Sequence, residues 1–241
     1  MPEGAPVDAP GEAGKPHKDA ERQAKFLVAQ FEQWALPRIA ASLPRWVMPD
    51  HLTGLGIAAA TWIAFCYMKS NANPLWLYGA SAGLVVHWFG DSLDGTLARV
   101  RKITRPRYGF YLDHLTDAYS TTAIGLGLGL SPYMLLSVGF AGVIAYLMLS
   151  INVYLETYVF KRFRFGYGML GPTEARIALL LLNLLAGGLT PLPFTFRGVE
   201  MTVFDIGGIA VTFVMLGLLL SRAMANLKEL ARDEPPNVVK D

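Results

Sequence analysis

Six apolar segments leave this chain few folds to choose from, because each is near the ~20 residues, at ~1.5 Å apiece, that cross a bilayer. They fall at about 52–69, 75–98, 108–130, 133–157, 174–190 and 203–222. Pro74, Pro132, Pro172 and the pair Pro191 and Pro193 lie between them, where helices break. The pattern predicts an all-α membrane protein with six transmembrane helices. A soluble domain of 241 residues would show apolar stripes instead of blocks, and fewer than the 53% apolar residues found here.

The flanks read differently. Residues 1–22 are rich in Pro, Ala, Gly and charge, with no apolar run. They predict a disordered tail and lack the apolar core of a cleaved export signal. Residues 23–45 place Phe26, Leu27, Ala29, Phe31, Trp34 and Ala35 at helical spacing. They predict an amphipathic helix on the membrane surface, bent or ended by Pro37. The competing reading is a helix packed against other protein. The six-helix domain is expected over 46–225 and a cytoplasmic tail over 226–241.

Basic residues set the orientation. An even number of spans puts both termini on one side. Of the 21 Lys and Arg, only Lys69 and Arg197 then fall on the other side. The positive-inside rule makes the basic side cytoplasmic, the inner membrane if the source is bacterial. The net charge of +2 says little about partners, and no nucleic acid is expected. The single cysteine, Cys66, lies in an apolar run and reads as packing; it permits neither a disulfide framework nor a cysteine-based zinc site within the chain. "GLGLGL" (Gly125 to Leu130) has no strand before it, so it reads as close helix packing and not a dinucleotide loop.

Four carboxylates interrupt this apolar chain. Asp91 and Asp94 are three apart at the end of the second segment; Asp113 and Asp117 are four apart at the start of the third. Each spacing puts a pair on one helix face. Carboxylates in membrane helices are costly and usually functional. Two pairs facing each other across a helical hairpin would repel unless hard cations joined them, so divalent ions, Mg²⁺, Mn²⁺ or Ca²⁺, are expected, and two of them could clamp the attacking and leaving oxygens of a phosphoryl transfer. Between the pairs, Gly95, Ala98 and Gly109 are small and leave room, and Arg99 can fork onto phosphate oxygens. This describes a pyrophosphate pocket. The plainer alternative is a set of ion pairs with Arg99, Arg101 and Arg107.

"DSLDGTLAR" followed by "GFYLDHLTD" resembles the signature of the CDP-alcohol phosphotransferases, also called CDP-alcohol phosphatidyltransferases. All eight fixed residues are present: Asp91, Asp94, Gly95, Ala98, Arg99, Gly109, Asp113 and Asp117. The spacer from Arg99 to Gly109 is nine residues where about eight is expected, which predicts a local bulge in a loop. "MPDHLTGLG" resembles the family's entry to its first helix, with Asp50 in place of Asn, and points to Thr53 near the nucleotide; a helix cap is its ordinary alternative.

The resemblance implies integral membrane enzymes of phospholipid synthesis. A CDP-alcohol gives its phospho-alcohol unit to a hydroxyl acceptor, and CMP leaves. It implies metal ligation by Asp91, Asp94, Asp113 and Asp117, a donor site at Thr53, Asp94, Gly95, Ala98, Arg99 and Gly109, Asp117 or His114 as base, and a homodimer among membrane lipids. "LDHLTD" and "GPTEAR" resemble the choline and ethanolamine branch, where His114 and Glu174 would handle a lipid hydroxyl proton. Glu174 also reads as a first-turn carboxylate facing the helix dipole. The lean from sequence is to that branch. The alternative uses CDP-diacylglycerol and a small polar acceptor such as a glycerol phosphate, an inositol phosphate or serine. Arg162, Arg164 and Arg176 would then meet an acceptor phosphate. A divalent-cation transporter is the remote alternative; it would place carboxylates near the midplane in broken helices or repeats, which this sequence lacks.

Overall fold

The computed structural model describes residues 29–160, 172–187 and 193–235. Seven α-helices run through them: α1 (Ala29–Ser42), α2 (Pro49–Lys69), α3 (Trp76–Val100), α4 (Pro106–Gly129), α5 (Leu136–Phe160), α6 (Pro172–Gly187) and α7 (Val203–Asp233). Three of them, α2, α5 and α7, are long and apolar enough to cross a membrane. Asp91, Asp94 and Arg99 break the apolar run of α3; Arg107, Asp113 and Asp117 break that of α4. In α6 the apolar stretch is the shorter Ala175–Leu184.

Glycines bring these helices together. A Cβ on Gly90 of α3 would sit 2.6 Å from the Leu52 carbonyl oxygen and 2.8 Å from the Gly56 nitrogen of α2. One on Gly127 of α4 would sit 2.5 Å from Ala64 Cα of α2, and one on Gly139 of α5 would sit 2.7 Å from the Gly125 carbonyl oxygen of α4. The glycine run of α4 is therefore a packing surface, as its composition predicts. Cys66 is fully buried in the core with Ile63, Tyr67, Leu77 and Leu84.

Both α3 and α4 pack along α2, yet they hardly touch each other. The two aspartate helices thus diverge from a shared support. Their connection closes tightly: Lys102 N–H bonds the Arg99 carbonyl and Ile103 N–H the Ala98 carbonyl, with Lys102 left-handed at φ 58°. This is the double closure of a Schellman helix end, with lysine where glycine is usual.

Pro37 lies inside α1, so of its two expected effects it does not end the helix, and three further details depart from the sequence reading. Leu36 and Ala40 pack with Val47, Leu52, Leu93 and Leu97, and the Arg38 side chain bonds the Trp34 carbonyl at 2.5 Å beside the interrupted turn. The predicted apolar face of α1 splits: Ala35 is buried, whereas Phe31 and Trp34 stay exposed. The last helix continues past 222 to Asp233, so the predicted tail begins as helix. Strong helix formers follow Arg222, and no Gly or Pro comes before Pro235. A short antiparallel hairpin, β1 (Phe194–Phe196) with β2 (Val199–Met201), precedes α7. Its two-residue turn has positive φ at both Arg197 and Gly198, as such hairpins require.

Candidate active site

The two aspartate pairs, on α3 and α4, lie within electrostatic reach of each other. Each carboxylate of the first pair has a partner. The Thr53 hydroxyl of α2 donates to Asp94 Oδ2 at 2.7 Å, and the Gly95 amide donates to Asp94 Oδ1 at 2.5 Å. Thr53 is a full turn inside α2 and buried, so it is not a cap; it ties α2 to the first aspartate pair. Arg176 of α6 donates to Asp91 Oδ2 at 2.6 Å. Asp117 is half-buried and within electrostatic reach of Asp91, Asp94, Asp113 and Arg176. Asp113 is exposed.

The arginines of the connecting loop turn elsewhere. Arg101 donates to the carbonyls of Leu43, Pro44, Arg45 and Val47, which fastens the α1–α2 connection. Arg105 pairs with Asp50 and stacks on Tyr108, 3.9 Å from its ring centre. An ion-pair network between Arg101 and the aspartates is thus not what the fold builds. Arg99 bends back along α3 to Thr96 Oγ1 at 3.0 Å.

The predicted gaps are open. A Cβ on Gly95 would meet only the Arg99 guanidinium, at 3.4 Å, and one on Gly109 would meet nothing within 4 Å. These glycines differ from those that seat helices. Ala98 is half-buried between them in sequence. A narrow polar cleft beside Asp91 and Asp94 is lined by Thr53, Gly56, Ile57, His87, Asp91, Asp94, Thr116 and Ser120. Sequence reasoning missed His87, Thr116 and Ser120. His87 is 4% exposed, and its Nδ1 has no hydrogen-bond partner. One signal was available: His87 precedes Asp91 by four residues on the same helix face.

His114 lies one turn before Asp117 on α4. Its Nδ1 meets the Phe110 carbonyl at 2.7 Å, and its ring packs 4.1 Å from Phe110 and 4.8 Å from Tyr154. Its Nδ1 also lies 3.5 Å from Asp113 Oδ2. Glu174 lies in the first turn of α6, but its side chain is outside the described residues, as are Arg162 and Arg164.

The donor set, four carboxylates with neighbouring hydroxyls, suits a hard cation by its chemistry. Among the described residues, however, no three acidic, His or Cys groups converge on one point as metal ligands do. The set fits a divalent cation in donor type and shared electrostatic reach, but not in convergence.

Residues 46–221 match the CDP-alcohol phosphatidyltransferase family. No curated protein matches the chain. Among solved structures, the fold is similar to that of Mycobacterium tuberculosis phosphatidylinositol phosphate synthase (PgsA1) with CDP-DAG bound. The identity is 20% and the TM-score 0.59, over 79% of this chain and 92% of that one.

Proposed function

This chain belongs to the CDP-alcohol phosphatidyltransferase family, an enzyme family of membrane phospholipid synthesis, and from that premise we propose that it transfers phosphatidyl from CDP-diacylglycerol to a small polar alcohol. The observation that carries the choice of branch is Arg176. It brings a guanidinium to the edge of the carboxylate cluster, where it can fork onto the phosphate of a phosphorylated acceptor. The CDP-DAG bound to the structurally similar PgsA1 supports the same donor. The lean toward the choline and ethanolamine branch rests on His114 and Glu174. Against it, the His114 ring is packed between Phe110 and Tyr154 and bonded to the backbone.

Six of the seven helices, α2 to α7, cross the membrane in this reading, with the aspartates near the cytoplasmic face. The helix α1 lies along that face, with Phe31 and Trp34 toward lipid. The acceptor oxygen bonds to the phosphorus that carries the diacylglycerol. The pyrophosphate bond breaks, and CMP leaves with the bridging oxygen. Asp117 takes the acceptor's proton. Thr53 holds Asp94 in place, the open space at Gly95, Ala98 and Gly109 admits the pyrophosphate, and Arg99 meets its oxygens. Mg²⁺ or Mn²⁺, held by Asp91, Asp94, Asp113 and Asp117, would supply neutralisation of the pyrophosphate charge. The enzyme works as a homodimer in this reading, as the resemblance implies.

The test is a donor panel with CMP release as the readout. CDP-diacylglycerol with a glycerol phosphate, an inositol phosphate or serine is expected to release CMP, and CDP-choline or CDP-ethanolamine with diacylglycerol is not. The reverse pattern defeats the branch assignment. The same assay reads His114→Ala, which is expected to stay near the wild-type rate. A loss of roughly 10²–10⁴-fold, the size of general-base catalysis, would return the proton to His114 and with it the aminoalcohol branch.

A further inference from the structure

The helix α1 ends before residue 46, where the family match begins, yet it reaches the site through one side chain. Glu32 Oε1 accepts two hydrogen bonds, from Trp88 Nε1 of α3 at 2.8 Å and from Thr173 Oγ1 of α6 at 2.7 Å. Trp88 is one turn before Asp91 on α3, and Thr173 is one turn before Arg176 on α6. The same two helices are joined again by the Arg176–Asp91 pair. A single oxygen from outside the matched domain therefore joins the two helices that carry that pair. Its own helix is fixed by the apolar packing of Leu36 and Ala40 against Leu93 and Leu97 of α3.

We propose that Glu32 is a positioning residue of the active site: by bonding Trp88 and Thr173 it holds the start of α6 on α3, and so holds Arg176 beside Asp91. The proposal rests on the reading of Arg176 as part of the acceptor site. What the geometry requires of Glu32 is an acceptor oxygen, since both partners are neutral donors. Glutamine supplies the same oxygen without the charge.

The experiment uses the full chain in lipid–detergent micelles and measures CMP release against CDP-diacylglycerol and glycerol phosphate. Glu32→Ala is expected to raise the KM for the acceptor about 10-fold, the scale of losing two hydrogen bonds, with kcat and the donor KM changed little. Glu32→Gln is expected to restore the wild-type value. Thr173→Val removes one of the two partners by a smaller change. It should raise the same KM, and adding it to Glu32→Ala should bring little further loss, because contacting residues couple. Wild-type kinetics in Glu32→Ala overturns the proposal, as does a Glu32→Gln enzyme as impaired as the alanine variant. Arg176→Ala separates the underlying reading. If it leaves the acceptor KM unchanged, the acceptor role of Arg176 fails by itself, and amide hydrogen exchange in the first two turns of α6 then decides on Glu32. Faster exchange in Glu32→Ala, reversed in Glu32→Gln, supports the clamp; unchanged exchange overturns it.

Discussion

Stripping divalent cations from the purified enzyme is expected to abolish CMP release, and returning Mg²⁺ or Mn²⁺ to restore it. The argument is electrostatic. Asp91, Asp94, Asp113 and Asp117 lie within electrostatic reach of one another, and a pyrophosphate brings further negative charge among them. Arg176 offsets one carboxylate, and Thr53 and Gly95 give Asp94 hydrogen bonds but no charge. At ~4 Å, two like charges repel by ~4 kcal/mol even at the moderate dielectric of a protein surface. A dianionic ligand beside several such groups is not held without added cations. The measurement is CMP release after dialysis against a chelator, then with each cation returned. Full activity after thorough chelation would defeat the assignment of the aspartates to metal.

Asp117→Asn is expected to lower kcat by roughly 10²–10⁴-fold, the range for losing a general base. Asparagine keeps the shape of the side chain, so the fold should persist, but its amide cannot take the acceptor's proton. Raising the Mn²⁺ concentration should not recover the rate; recovery would mean that Asp117 serves only as a ligand. A near-wild-type rate in Asp117→Asn would remove it from proton transfer altogether.

Much of this site was legible because its residues are spaced by the helix repeat. Asp91 with Asp94, and Asp113 with Asp117, had to share faces, and Gly95 and Gly109 had to leave gaps beside them. Local periodicity could not say how α3 and α4 sit relative to each other. The spacing predicts a helical hairpin, whereas both helices lean on α2, through Gly90 with Gly56 and Gly127 with Ala64. Thr53 was legible only through the resemblance, since its partner Asp94 is 41 residues away. Glu32 gave no signal at all: an acidic residue in an amphipathic helix looks like a solvated face, and its donors lie 56 and 141 residues away. The hairpin at 194–201 escaped because two three-residue strands are too short for an alternating pattern to appear.

The glycines described above fall into two kinds, and the difference sets how this sequence can vary. At Gly90, Gly127 and Gly139 even one methyl meets a neighbouring helix's backbone, which cannot step aside as a side chain can. Alanine there must push two helices apart, a strain on the order of 1–3 kcal/mol. At Gly95 and Gly109 a methyl meets at most the end of an arginine. In a saturation library, therefore, abundance in the membrane would police the first kind and catalysis the second. A substitution at Gly95 would leave normal amounts of an inactive enzyme, whereas one at Gly127 would leave less of an enzyme whose surviving copies still turn over.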